Sequence, residues 1–144
     1  MNYYSYANGK IIKKDNIKIG ISDLVMLRGY GVFDYMRTYA GKPFLVHDYI
    51  SRFSNSAKEM KLKLPLSNDK IEKIIYTLLK KNQKKNQVKE FGIRFLLTGG
   101  YSLDSFLPST SNSEAKVAFH SGLIFERSSP VSGSFGLNTS LGNS

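Results

Sequence analysis

The sequence predicts an α+β domain in which a small antiparallel sheet carries two main helices on one face. Three observations lead there. Asn8-Gly9 lies between two short runs of strand-forming residues, a strong two-residue hairpin signal. Two later stretches place apolar residues at helical spacing. The run FGIRFLLT, Phe91–Thr98, is apolar almost throughout and is closed by Gly99-Gly100, as expected of a buried strand.

The elements follow in order. Residues 3–6 form a short polar-aromatic strand, and residues 10–14 return from the Asn8-Gly9 turn. Ile17, Ile19 and Ile21 alternate with polar residues, which again predicts a strand. Ser22 or Asp23 is positioned to cap a short turn of helix ending at Met26. A strand over residues 32–39 follows Gly29 and Gly31, the chain turns at Gly41-Lys42-Pro43, and residues 44–46 return. Asp48 is the expected cap of the first main helix, whose stripe is Ile50, Phe53, Ala57 and Met60. Leu62, Leu64 and Leu66 are extended around Pro65. The second main helix opens at residues 67–69, and Ile71, Ile74, Ile75, Leu78 and Leu79 give its stripe.

The composition is that of an ordinary globular protein. The 144 residues allow one domain with a core, at 41% hydrophobic and 22% charged. No apolar run reaches the length of a membrane span. The start, MNYYSYANGKIIKK, has no apolar leader core, and there is no cysteine, so a cytoplasmic location is expected. His47 and His120 stand far apart in sequence, and no metal site is expected. The net charge of +10 is mostly lysine, densest at Lys80, Lys81, Lys84, Lys85 and Lys89. Such a balance fits an anionic partner. No aromatic residue interleaves these lysines in sequence, so a solvated helix end is the favoured reading and a nucleic-acid partner is not expected. After residue 110 the chain turns rich in Ser, Gly and Asn, which predicts an irregular or disordered tail over 111–144.

Chemistry concentrates in residues 27–57, LRGYGVFDYMRTYAGKPFLVHDYISRFSNSA. Arg52 offers a permanently charged fork suited to a phosphate dianion, although a surface helix arginine would look the same. Phe33 reads as a core or pocket aromatic. Arg37 reads as a sheet-face arginine that Asp34 or Asp48 would pair. Tyr30 sits between two glycines, where backbone can approach a ligand closely.

The order of GYGVFDYMRTY, HDYISRFSNSA and FGIRFLLTGGYSLD resembles the N-terminal domain of the class IV (fold type IV) pyridoxal-phosphate-dependent aminotransferases, over residues 1–110. That resemblance implies pyridoxal 5'-phosphate as cofactor and Arg52 as its phosphate ligand. It implies Tyr30, Phe33 and Arg37 as pocket residues. It implies an amino acid and a 2-oxo acid as substrates, and a homodimer. Asp34 stands where the family has glutamate, and Tyr49 where it commonly has histidine. Phe33, and the lack of an arginine near Asp104, resemble branched-chain aminotransferases more than D-amino-acid enzymes. Aminodeoxychorismate lyase remains a further possibility within the family. The lysine that carries the cofactor has no counterpart here, since Lys116 lies in an unrelated context. The chain is therefore expected to be an inactive portion of such an enzyme. Two other readings stay open, a basic module that binds anions or nucleic acid and an inert fragment with exposed apolar surface.

Overall fold

A computed structural model describes residues 3–87 and 89–102 and the backbone of the strand Val117–Leu123. The chain opens with strands β1 (Tyr4–Ala7) and β2 (Lys10–Lys13), joined at Asn8 and Gly9, both at positive φ. A short helix α1 (Leu24–Arg28) follows, then the long strand β3 (Gly31–Tyr39) and the two-residue β4 (Lys42–Pro43). Helices α2 (Val46–Glu59) and α3 (Asn68–Asn86) come next, then β5 (Phe91–Thr98) and β6 (Val117–Leu123). The strands form one six-stranded sheet in the order β2-β1-β6-β5-β3-β4, every pair antiparallel.

The period-two alternation of β3 divides the sheet into two faces. Val32, Asp34, Met36 and Thr38 are buried, while Phe33, Tyr35 and Tyr39 are exposed. In the β3–β5 register Val32 faces Leu97, Asp34 faces Phe95 and Met36 faces Ile93. These residues meet the helices. Phe95 packs on Phe53 of α2 with ring centroids 5.5 Å apart, and Ile71, Ile75 and Leu78 of α3 close the same core. The opposite face, with Phe33, Tyr35, Arg37 and Tyr39, carries no helix among the described residues.

Several boundaries differ from expectation. Residues 17–20 form no regular element. The chain turns through a single 3-10 turn (Lys14–Asn16) after the edge strand β2, so the alternating isoleucines find no ladder, and Ile21 is exposed. Residues 44–46 do not return as a strand. Proline ends β4 at Pro43, because it has no N–H to donate onward, and α2 begins at Val46. The cap of α2 is Leu45, at φ 47° and with no side-chain bond, rather than Asp48. Asp48 instead sits in the first turn, where its charge opposes the helix dipole. Val46, not the exposed Met60, completes the buried stripe with Ile50, Phe53 and Ala57.

The boundary expected at residue 110 also needs correction. Residues 117–123, expected in an irregular tail, form β6 between β1 and β5 near the centre of the sheet. The compositional break hid a strand whose partners, Phe91–Thr98 and Tyr4–Ala7, are remote in sequence. Residues 111–116 and 124–144 of that expected tail lie outside the described residues.

Two expected helix caps are present, and α1 runs two residues past Met26. Asp23 caps α1, its carboxylate accepting from the Val25 N–H at 3.0 Å, and Gly29 ends the helix at φ 64°. Ser67 caps α3. This helix runs through Lys80, Lys81, Lys84 and Lys85 to Asn86, so the lysines lie in its last turns, where cations oppose the dipole favourably.

Beyond the core packing, two polar contacts bind α3 to β1. Asn82, fully buried, acts as a strand surrogate: its amide accepts from the Tyr4 N–H at 2.8 Å and donates to the Tyr4 carbonyl at 2.9 Å. The second contact surrounds the Tyr4 side chain. Lys81 Nζ lies 4.1 Å and Lys85 Nζ 4.8 Å from the centre of its ring, and Lys85 donates to its hydroxyl at 3.4 Å. An aromatic residue thus does interleave the lysines, supplied by β1 rather than by the helix. Its ring already carries two ammonium groups.

Replacing Asn82 with alanine removes both of its hydrogen bonds to the Tyr4 backbone, which should cost ~2–3 kcal/mol. Urea denaturation reads that loss, and an unchanged midpoint would show that water replaces the amide. The Lys85 hydrogen bond and the charges of Lys85, Lys81 and Lys13 lower the Tyr4 pKa from its ordinary value. Tyr4 should therefore ionise below the ordinary tyrosine range in an ultraviolet pH titration. The stabilisation that accompanies this shift is present above the unfolded tyrosine pKa and is lost as pH falls through the folded one. In a Lys81→Gln, Lys85→Gln variant the early step should move back up.

Candidate active site

The chemistry-bearing residues gather on β3 and the helix packed against it. Asp34 points to the helix face of β3 and is buried. Arg52 projects from the second turn of α2 and meets it there. Its Nε donates to Asp34 Oδ2 at 2.8 Å, and its Nη2 donates to Asp34 Oδ1. This is a two-pronged carboxylate–guanidinium pair, strongly directional because both groups are planar. Asp34 Oδ1 also accepts from the Tyr35 N–H at 2.7 Å, which holds the carboxylate itself. On the other side the Arg52 guanidinium carbon stacks 4.6 Å from the centre of the Tyr49 ring. The hydrogen bond to Asp34 raises the Arg52 pKa further, so the group is cationic at every accessible pH.

This geometry leaves one edge of Arg52 outside the pair with Asp34. Nε and the adjacent Nη2 hydrogen serve Asp34, so the outer Nη1–Nη2 edge lies outside the ion pair, with the Tyr49 side chain beside the guanidinium. The side chain is 61% exposed, so that edge reaches solvent. An edge with two parallel N–H donors matches two oxygens of a phosphate group. The residues present thus fit a phosphate-bearing ligand at Arg52. The partner of Asp34 is Arg52 and not Arg37, which corrects the pairing expected for a sheet-face arginine.

Arg37 lies on the opposite face of β3, with its guanidinium carbon 4.8 Å from the centre of the Tyr39 ring. Its Nε is buried without a hydrogen-bond partner among the described residues. Phe33 shares this open face and is 64% exposed, so it is not a core side chain. Between them in the strand, the Tyr35 ring lies over Gly92 of β5, where a Cβ would fall 2.2 Å from its hydroxyl oxygen. Arg94 of β5 is opposite Tyr35 in the register and also exposed.

Tyr30 is placed apart from this face. It is partly buried against the core, and its hydroxyl donates to the Met60 carbonyl at 2.6 Å. Its ring presses on Gly99, where a Cβ would fall 2.3 Å away. The Tyr30 carbonyl accepts from the Gly99 N–H at 2.9 Å. Next to it, buried Asp23 accepts from the Thr98 hydroxyl at 2.9 Å, and the Leu24 N–H bonds the Gly100 carbonyl. Tyr30 therefore helps lock the α1 turn to the end of β5.

The structure thus joins Arg52 to Asp34 and Tyr49, and groups Phe33 with Arg37, but sets Tyr30 in a separate cluster. Asp34 and Tyr49 were missed as site residues by sequence reasoning. The signal available was the period of β3, which sends Asp34 to the face opposite Phe33, and the helical spacing of Tyr49 and Arg52. Among the described residues no group of His, Asp or Glu is arranged to hold a metal ion, and no helix is long and apolar enough to cross a membrane.

The chain is similar to several known proteins. A provisionally named branched-chain-amino-acid aminotransferase of Methanocaldococcus jannaschii is 30% identical over 95 residues, 66% of this chain and 32% of its own length. A D-alanine aminotransferase of Staphylococcus epidermidis is 31% identical over 81 residues, 56% of this chain and 29% of its own length. An aminodeoxychorismate lyase of Bacillus subtilis is 27% identical over 114 residues, 79% of this chain and 38% of its own length. Among solved structures, the fold is similar to that of the Escherichia coli branched-chain amino acid aminotransferase. That match has a TM-score of 0.75 and 21% identity, over 85% of this chain and 40% of the other. Another similar structure is a branched-chain amino acid aminotransferase crystallised with pyridoxamine 5'-phosphate, at a TM-score of 0.69 and 23% identity, over 88% of this chain and 42% of the other. The chain thus spans about a third of the length of the curated relatives it matches. The family model described as Amino-transferase class IV matches residues 31–124, a span that takes in β3, both main helices, β5 and β6. The chain belongs to the class IV amino-transferase family.

Proposed function

We propose that this chain provides the phosphate grip and one wall of the substrate pocket in a pyridoxal-phosphate-dependent aminotransferase. The enzyme would move an amino group between a branched-chain amino acid, or glutamate, and a 2-oxo acid. The observation that carries the reading is the exposed Arg52 side chain, whose inner edge Asp34 holds so that the outer edge lies outside the ion pair. When bound, the cofactor supplies an electron sink for the α-carbon of the amino acid.

The roles of the chain's own residues follow from their chemistry. Arg52 binds phosphate oxygens and so fixes the cofactor's position. Phe33 offers an exposed apolar surface suited to an aliphatic side chain, and it excludes water there. Arg37 supplies positive charge on the same face, complementary to a substrate carboxylate. Tyr30 shapes the adjoining loops, since its hydroxyl is already committed to Met60. The reading assigns the proton-transferring lysine to none of the 144 residues, and Lys116 lies outside the described residues. By itself the chain should therefore bind the cofactor weakly and transfer no amino group. A homodimer that completes the pocket is part of the same proposal.

D-Alanine transamination is the second reading, favoured by the staphylococcal relative at an identity similar to that of the branched-chain one. Phe33 argues for the branched-chain reading, because a phenyl ring offers an apolar contact and no hydrogen bond to a carboxylate.

Phosphorus NMR of the purified chain titrated with pyridoxal 5'-phosphate tests the phosphate grip. Arg52→Gln should weaken binding by about tenfold or more, since it removes a charge-assisted pair of hydrogen bonds. Equal binding by the variant would refute the role of Arg52. Incubation with cofactor, leucine and 2-oxoglutarate should yield no glutamate. Turnover by the chain alone would show that one of its own lysines carries the chemistry.

A further inference from the structure

We propose that Asp34 and Tyr49 are positioning residues that hold the Arg52 guanidinium in a single orientation, with its outer Nη1–Nη2 edge presented to a phosphate group. The inference rests on the reading of Arg52 as a phosphate ligand and adds how that ligand is preorganised. Arginine at a mobile surface position must lose rotamer freedom before it can grip an anion with two parallel bonds. Here that loss has already occurred in folding. Asp34 takes the inner edge with both oxygens, the Tyr35 N–H holds Asp34, and the Tyr49 ring covers one guanidinium face. Two planar constraints, one along the edge and one across the face, leave the guanidinium little freedom to rotate.

The charge balance gives the arrangement a cost to phosphate binding that a positioning role offsets. A carboxylate beside Arg52 cancels most of the long-range attraction that a phosphate would feel. If attraction alone mattered, Asp34 would weaken the site. Its benefit must come from geometry, which makes the effect of its removal diagnostic. The two residues also explain where this chain departs from the pattern its family resemblance implies. Asp34 is shorter than the usual glutamate, and the carboxylate still reaches Arg52 from a buried strand position. Tyr49 replaces the common histidine with a larger ring for the guanidinium to stack on.

The test uses the full chain labelled with nitrogen-15 in arginine. In the wild type the Arg52 Nε–H signal should be sharp and slow to exchange with solvent. Inorganic phosphate should perturb the Nη groups while leaving the Nε–H bond to Asp34 intact. Asp34→Asn should speed Nε–H exchange and weaken phosphate binding by about tenfold, despite the gain in net positive charge. Asp34→Glu should restore most of both effects, and Tyr49→Ala should weaken binding less than Asp34→Asn. Circular dichroism checks the fold of each variant, and Asp34→Glu stands in if Asp34→Asn does not fold. Its Arg52 Nε–H must then stay slow to exchange and its phosphate affinity near wild type, and loss of either counts against Asp34.

The outcomes separate the two layers. Undiminished binding by Asp34→Asn, with Arg52→Gln defective, overturns the positioning role and leaves the phosphate grip standing. If Arg52→Gln binds phosphate like the wild type, or the wild type does not bind it, the grip itself fails and the positioning proposal falls with it.

Discussion

The antiparallel register of β3 against β5 is the constraint on which the rest of the molecule depends. Gly31 opposite Thr98 sets every later pair, and a slip of one residue would exchange the two faces of β3. Phe33 and Arg37 would then point into the helices, and Asp34 would leave Arg52. The register is secured at both ends. At one end Asp23, Thr98 and Gly100 tie α1 to the close of β5. At the other, Glu90 accepts from the Thr38 hydroxyl at 2.9 Å and from the Gly41 N–H at 3.1 Å, while Thr38 accepts from the Phe91 N–H.

Given that register, one strand serves two purposes. Its buried residues close the core with Phe53, Phe95, Ile71 and Ile75. Its outward residues, exposed Phe33, Tyr35 and Tyr39 with half-buried Arg37, form an aromatic and basic surface. Asp34 belongs to the buried set and yet is charged, which is tolerable only because Arg52 and a backbone N–H satisfy it. The pair therefore links core to site. The packing of α2 against β3 through Ile50 and Phe53 sets the distance at which Arg52 can reach its partner.

The sheet also depends on partners far apart in the chain. β6 completes the centre of the sheet, although most of the described chain lies between it and β1. Asn82 performs a similar service from α3, closing the Tyr4 backbone where β6 does not pair with it. Such contacts hold β1 and β2, strands of four residues each, against the body of the molecule.

The sequence by itself determined the elements whose signals are local. The Asn8-Gly9 hairpin, the Asp23 and Ser67 caps, the stripe of α3 and the apolar run of β5 are all set by conformational preference or by period. The resemblance that named the family rested on the same local runs, and Arg52 was legible as a candidate for that reason. Tertiary structure decided what depends on pairing across the chain. The isoleucines at 17, 19 and 21 had the period of a strand but no ladder to join. Residues 117–123 had an unpromising composition and joined one at its centre. Asp34 became the partner of Arg52 rather than of Arg37 because the pleat sends it to the helix face. Tyr4 met Lys81 and Lys85 because α3 crosses β1. A local signal states what a segment prefers, whereas the partner that completes a strand, a charge or a hydrogen bond is chosen only when distant segments share space.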